Sequence, residues 1–378
     1  MLLIKLNILK LIYIIKKKLQ LLFKKFSYGL FKLLYGEIRD FKPLKNDLNS
    51  KLLASQIDNQ HIYKVYVINK ARLYTDTIND TAIIQDDKII EGPSFQIRKT
   101  KFDEINKNIV LTKGTPRFKK KIKGKIFSLL TGGAGNNNYW HWLFDVLPRF
   151  KILENTQNLK DINYFLLPNL KNRFQIETLD IIGIPKKKRL SSLKQRHIEC
   201  DQIIVSDHPY VIKNDASNEI QNLPMWIISW LNSTLTKDKA LDDKSFPANI
   251  YIDRSDAHPN VANLRQIINE KDVVNFLKER GFNIITLSNY TFKDQMKLFY
   301  NAKNIVGLHG AGFANVIFSK PELKVLELKP SSAGKMCENL IKKCDINYDC
   351  ISVKPEKFDL NNQMGHIKVN LNELKKKL

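Results

Sequence analysis

Asn304-Ile305-Val306-Gly307-Leu308-His309-Gly310-Ala311-Gly312-Phe313-Ala314-Asn315 is the stretch on which the reading of this chain turns. An apolar run of strand length ends at a turn of small residues, and a short helix follows. Glycines at such a turn let the backbone approach a ligand closely, and the free N–H groups at the helix start present a positive end to it. Doubly wound sheets bind ligands at the carboxyl ends of their strands, where His309 falls. A diphosphate suits this arrangement, with His309 donating to a phosphate oxygen. The competing reading is a turn that only lets strand and helix pack tightly.

The flanks extend the pattern. Asn249 to Asp253, Phe282 to Leu287 and Lys324 to Leu328 read as further strands. Between them lie helices from about Glu270 to Arg280, with Asn269 as N-cap and Gly281 as stop, and from Thr291 to about Asn301, with Thr291 and Asp294 in the positions of a capping box. Strands alternating with helices predict a parallel, doubly wound sheet, so residues 248–378 are expected to form a Rossmann-like domain. Arg254 follows the first of these strands and Arg265 lies in the loop beyond it. Both suit bidentate contact with phosphate, against a surface pair of Arg254 with Asp256. Glu327 lies within the last strand, placed either to accept ribose hydroxyls or to form a salt bridge. Gly310, Ala311, Gly312 and Asn315 complete the expected donor-binding set.

At 378 residues the chain accommodates two domains, and its 43% apolar residues suffice for real cores. Residues 46–240 form the second expected domain, with Thr236 to Pro247 as linker. Strands are expected around Tyr63 to Ile68, at Ala82 to Ile84 and Lys88 to Ile90 about an Asp86-Asp87 turn, at Ile126 to Leu130, Tyr164 to Leu167 and Gln202 to Val205. Lys113 to Lys125 reads as a basic loop, and Thr131 to Asn138 as a polar, glycine-rich one. A helix begins at Tyr139, and it carries Asn138-Tyr139-Trp140-His141-Trp142-Leu143-Phe144-Asp145-Val146-Leu147-Pro148-Arg149. His141 and Asp145 share a helical face, so either can act as general base while the other orients it. Trp140 and Trp142 are candidates for stacking on sugar rings. The competing reading makes the aromatics core and pairs Asp145 with Arg149.

Residues 1–45 differ from the rest, with eleven Lys or Arg against Glu37 and Asp40. Ile4, Ile8, Leu11, Ile12, Ile15, Leu19, Leu22 and Phe26 fall at helical spacing, and lysines flank them. No apolar run is long enough to span a bilayer. A basic amphipathic helix is expected, lying on an anionic membrane surface or docked on its own protein. The formal charge of the whole chain is +24, which points to an acidic partner: nucleic acid, an anionic membrane or a phosphorylated substrate. No nucleic-acid motif accompanies the charge, so nucleic acid is the less favoured partner. Cys200, Cys337, Cys344 and Cys350 show no C-x-x-C spacing and no histidine cluster, so no metal site is expected.

The segment Asn138 to Asp145 with Leu147-Pro148-Arg149 resembles the N-terminal motif of glycosyltransferase family 61. The later series does too: Arg254, Arg265 with Asn269-Glu270, Phe292 with Gln295, Gly307 to Gly312 with Asn315, and Glu327-Leu328. Order and spacing agree over roughly residues 120 to 335. The resemblance implies a GT-B-like α/β fold of two Rossmann-like domains facing a cleft, and an inverting single displacement. It implies no essential metal and no cofactor, a nucleotide-sugar entering as co-substrate. A bacterial-type enzyme of surface-polysaccharide assembly follows, with a glycan or lipid-linked glycan as acceptor, cytoplasmic and peripheral on the inner face of the cell membrane. The rival expectations are a nucleic-acid-binding protein and a non-catalytic glycan-binding relative of the same fold.

Overall fold

The computed structural model describes residues 2–75, 81–94, 96–98, 100–130, 132, 138–237, 240–257, 265–356 and 365–378, with side chains from residue 13 onward. Most of the glycine-rich segment, 131 and 133–137, lies outside them, as do part of the expected linker and residues 258–264 of the loop after Arg254.

One long helix, Leu2–Tyr35, opens the chain. A nine-stranded sheet follows, made of β1 (Asp40–Pro43), β2 (Ser50–Gln56), β3 (Ile62–Thr75), β4 (Thr81–Gln85), β5 (Lys88–Glu91), β8 (Lys120–Ser128), β9 (Tyr164–Leu167), β10 (Arg189–Ser191) and β11 (His197–Ser206). β6 (Ile97–Arg98) and β7 (Lys101–Phe102) form a separate ribbon. β1, within the expected N-terminal segment, pairs with β5 at the sheet edge. Asp86 and Asp87, with φ of 51° and 54°, make the tight turn between β4 and β5, as the sequence predicts.

The sheet corrects the expectation of a second Rossmann-like domain. β8, β9, β10 and β11 run parallel, but β11 pairs antiparallel with β3, and β2, β3, β4 and β5 form an antiparallel meander. Hairpins need only short turns, and the first half of the chain spends residues 50–91 on them before any crossover helix appears. The expected basic loop is likewise strand in its second half. Lys120 to Lys125 begin β8, whose exposed first half runs past the core, and Lys119 and Lys121 both pair with Glu199 on β11.

The second sheet is wholly parallel: β12 (Asn249–Asp253), β13 (Asn283–Thr286), β14 (Asn304–Leu308), β15 (Lys324–Pro330) and β16 (Asn347–Val353), in spatial order β13-β12-β14-β15-β16. Helices Glu270–Lys278 and Phe292–Asn301, the 3₁₀ turn Ala311–Phe318 and helix Met336–Lys343 connect the strands. Thr291 caps its helix as expected, accepting from the Asp294 N–H. Asn269 occupies the N-cap position as expected, but its side-chain amide, instead of capping, exchanges two hydrogen bonds with the Val369 backbone and pins the C-terminal segment.

The two sheets share one apolar core, running from Tyr63 and Phe127 through Trp142 to Phe292, Phe318 and Leu340. Helix Arg173–Ile181 meets helix Phe292–Asn301 there. The Glu177 carboxylate accepts the Phe292 N–H at 2.6 Å, at the positive end of the second helix. The Phe292 ring lies against Tyr139 and Phe318. Truncating so buried a ring removes contacts on both sides of the seam. Phe292→Ala is expected to cost about 3–5 kcal/mol, read as a lower urea midpoint at unchanged slope.

Candidate active site

Strand order decides where a site can form. β13 and β14 flank β12, so the connections after β12 and after β14 diverge to opposite faces and open a crevice at their carboxyl ends. Arg254 follows β12 and His309 follows β14. An Arg254 N–H donates to the His309 carbonyl at 2.9 Å, which ties the two strand ends together. The expected pair of Arg254 with Asp256 is absent among the described residues; the Asp256 carboxylate accepts instead from the Ser288 N–H.

His309 is fully buried. Its Nδ1 lies 2.5 Å from Glu327 Oε1, and the other oxygen of Glu327 accepts from the Tyr348 hydroxyl at 2.6 Å. Burial would raise the Glu327 carboxyl, but the bond and charge of His309, Tyr348 and Lys329 outweigh it and hold the group below its usual range. An ionised Glu327 accepts, so His309 Nδ1 carries the proton and Nε2 is left for another partner. Nε2 has no hydrogen-bond partner among the described residues. Burial pushes the His309 pKa down against the pull of Glu327, with Arg265 and Lys329 adding to the depression. Arg265 is buried as well and is pushed down to about 10, first by burial and next by the charge of Arg254. Two arginines lowered by burial, with Arg254 depressing Arg265 further, beside a buried histidine make a place that favours an anion.

This geometry reassigns several expected donor-binding residues. Glu327 uses both oxygens on protein partners, so it orients His309 rather than standing open to a ribose. Asn315 accepts from the Tyr139 hydroxyl and is 3.4 Å from Gln295, so its amide joins the two halves of the molecule. A Cβ on Gly307 would lie 3.2 Å from Ile252 and Phe313, and one on Gly312 would lie 3.0 Å from Leu287. Those two glycines serve strand–helix packing. At Gly310 the neighbour is the Arg254 guanidinium, 3.2 Å from a Cβ, so this glycine makes room for a cation. Ala311 begins the 3₁₀ turn beside it.

The second cluster lies at the carboxyl ends of two neighbouring parallel strands, β8 and β11. The chain after Tyr139–His141 widens into a π-helical turn over Trp142–Val146, closed by the Leu147 N–H on the Trp142 carbonyl. π turns recur at functional sites because they reset which side chains share a face. Here the turn brings His141 Nδ1 to 2.9 Å from Asp145 Oδ2. Asp145 is buried, while the His141 side chain keeps 28% of its surface open. The Arg149 guanidinium does not meet the Asp145 carboxylate; it donates to the Asp145 carbonyl and to the carbonyls of Leu130 and Ser206 at the two strand ends. Trp140 and Trp142 are core, with the Trp142 indole N–H on Thr178, so neither is open to a sugar.

His208, two residues past β11, was missed in the sequence. Its Nδ1 accepts the N–H groups of Val211 at 3.1 Å and Tyr210 at 3.3 Å, so a neutral ring carries its proton on Nε2, which faces Asp145 Oδ2 at 3.6 Å. Burial would raise Asp145, yet the charge and bonds of His141 and His208 hold it well below the usual carboxylate range. Burial lowers the His141 pKa, and the charge and hydrogen bond of Asp145 more than reverse this, leaving it raised. His208 is lowered, by burial first.

His309, Glu327 and Cys337 are the group of candidate metal ligands among the described residues. Two of the three already bond to each other and to Tyr348, and Cys337 lies 3.8 Å from the Gly310 carbonyl with its thiol pushed up by burial. The four cysteines are free thiols.

A family model described as Glycosyltransferase 61 matches residues 139–326, taking in Tyr139, His141, Asp145, His208, Arg254, Arg265 and His309 and stopping one residue short of Glu327. No curated protein matches the chain.

Because His141 is raised, its charged form is favoured in the folded state. That contribution to stability is complete below the free-histidine value of about 6.5 and is lost as pH rises through the folded pKa. Asp145 acts in the opposite sense, contributing above its free value and losing its effect as pH falls. In a histidine-resolved NMR titration, His141 should protonate above pH ~6.5 in the native chain and at lower pH in Asp145→Asn. An unchanged His141 midpoint in that variant would show that the pair does not form.

Proposed function

The chain belongs to glycosyltransferase family 61, and from that premise we propose that it transfers a sugar from a nucleotide-sugar to an acceptor hydroxyl by a single, inverting displacement, between a mixed nine-stranded sheet and a parallel Rossmann-like one. The observation that carries this reading is the hydrogen bond that joins the helical turn bearing His141 to the turn that follows Gly312. Tyr139, two residues before His141, bonds to Asn315, three residues beyond Gly312.

Asp145 holds the Nδ1 proton of His141, so Nε2 is the atom that takes the acceptor's proton. The acceptor oxygen then bonds to the anomeric carbon. The bond from that carbon to the phosphate oxygen breaks, and its electron pair leaves with the nucleoside diphosphate. Arg254, Arg265 and the Nε2 of His309 meet the charge that grows on the leaving group, stabilising the transition state more than the ground state. A bound diphosphate also favours the protonated form of His309, against the burial that depresses it. These cations do the charge compensation assigned to a metal in other transferases, so transfer proceeds with a chelator present. The acceptor is a glycan, in keeping with surface-polysaccharide assembly.

The reading is tested by thermal shift against UDP, GDP, CMP and their sugars with EDTA present, and by transfer assays. One nucleotide should raise the melting midpoint in proportion to its occupancy, and Arg254→Ala should lose the shift. His141→Ala should keep the shift and lose about 10²–10⁴-fold in kcat. His141→Ala with near-native kcat removes the histidine from the reaction.

His208→Gln separates a positioning role from a packing one. It keeps a donor toward Asp145 but not the charge or the ring, so the acid limb of the kcat profile should move while the KM for donor stays put. A change in KM alone would deny His208 any part in setting the base.

A further inference from the structure

The N-terminal helix does not use its apolar stripe to hold on to the protein. Docking falls to its last turns, on one side. Phe31, 8% exposed, packs edge-on against Phe118, and Tyr35 lies against His197. The Tyr35 hydroxyl accepts the Lys119 N–H at 3.0 Å, and its carbonyl accepts from Arg72 at 3.2 Å. Ile15, Leu19, Leu22, Phe26, Leu30 and Leu33 form another face, at spacings of three and four, and all are exposed, Leu22 by 64%, Phe26 by 70% and Leu33 by 85%. At about 100° per residue, Leu33 points roughly 160° away from Phe31. From Ile15 to Leu33 the stripe therefore faces outward, on a helix of 34 residues, roughly 51 Å at 1.5 Å per residue.

Between residues 2 and 35 there are eight lysines and no acid. Lys16 stands on one side of the stripe and Lys18 and Lys25 on the other, each about 90° from its centre, where long stems reach from an apolar layer to charged headgroups. Docking adds a second basic segment. Through Phe31 and Tyr35 the helix end is seated on Phe118 and Lys119, so the exposed residues Arg117, Phe118, Lys120, Lys121 and Lys123 continue its surface from a part of the chain more than eighty residues away. No helix among the described residues is long and apolar enough to cross a membrane.

We propose that the outward stripe of the N-terminal helix, with the Arg117–Lys123 segment beside its end, is a docking surface for an anionic lipid bilayer, the helix lying in the plane of the headgroups. Charge complementarity selects this occupant. Pairing the stripe with that of a second copy would bring two sets of eight lysines together with no acid between them, whereas anionic headgroups neutralise both basic segments while the acyl boundary takes the leucines and phenylalanines.

The test uses the full chain with vesicles of phosphatidylcholine alone and of phosphatidylcholine mixed with phosphatidylglycerol. Binding should be confined to the mixed vesicles and weaken as salt rises. Leu19→Glu, Leu22→Glu and Phe26→Glu together alter only exposed positions, so the fold should be kept, along with the nucleotide-induced thermal shift, which separates this proposal from the assignment of the donor site. The triple variant should lose at least tenfold in binding, and Lys120→Gln with Lys121→Gln should lose a smaller factor. Equal binding to both vesicle types, or native binding by the triple variant, overturns the proposal. So does a dimer that forms without vesicles and is lost in the triple variant, since it would assign the stripe to a second copy.

Discussion

The hydrogen bond from the Tyr139 hydroxyl to Asn315 constrains everything of chemical interest in this molecule. Strand order alone would give each sheet its own place for a ligand, at the carboxyl ends of β8 and β11 in one and of β12 and β14 in the other. Neither place holds both histidine–carboxylate pairs, His141 with Asp145 and His309 with Glu327. Bringing them together requires that the helix leaving β8 and the turn leaving β14 touch. Tyr139 and Asn315 make that contact within a shared apolar core, where an unpaired hydroxyl or amide would be costly. The Glu177 carboxylate on the Phe292 N–H repeats the device a few residues away, so the seam is held by polar groups of exact partner rather than by apolar area alone.

Each side of the seam then uses the same element, a buried carboxylate holding Nδ1 of a histidine. The outcome differs because the neighbours differ. His141 has Asp145 as its main charged neighbour and keeps partial exposure, so attraction to the carboxylate prevails over burial and its pKa is raised. His309 is wholly buried and feels Arg265 and Lys329, so its pKa falls despite Glu327. A histidine of the first kind exchanges protons in the range where a base works. One of the second kind keeps its proton on Nδ1 and has no partner for Nε2 among the described residues. One motif thus yields two histidines shifted in opposite directions, set apart by burial and by the sign of the surrounding charge.

How much of this was legible before the structure follows from what periodicity and strand-end rules can see. The parallel sheet from Asn249 onward announced itself through alternating strands and helices, and with it the positions of Arg254 and His309. The same rule, applied to the strand ending near Val205, would have nominated His208, which was passed over because one histidine after a strand carries no motif. The antiparallel meander around β3 was read as strands but not as a different sheet type, since pairing direction depends on contacts distant in sequence. Glu327 was left open between a ribose and a salt bridge, and Asn315 was placed in the donor set with no protein partner foreseen. A carboxylate in a strand can face a ribose or a histidine equally well, and only the register of β14 against β15 decides it. The π turn is invisible to spacing altogether, because His141 and Asp145 share a face in an ordinary helix too.

The surplus of positive charge shows the same limit from the other side. As a number, +24 points toward any acidic partner. Distributed over the fold, it separates into kinds. Arg254 and Arg265 are inside the crevice, where charge acts on a small ligand at close range. Arg149 is spent on backbone carbonyls, and Lys119 and Lys121 face Glu199. A further group, the lysines of the N-terminal helix, lies next to leucines and phenylalanines that water does not favour. A polyanion in solution would match the lysines and leave that apolar stripe exposed, whereas a bilayer surface satisfies both at once. The distinction rests on Phe31 and Tyr35: because they hold the helix by one side, the stripe on the other side has no part in the protein's own core.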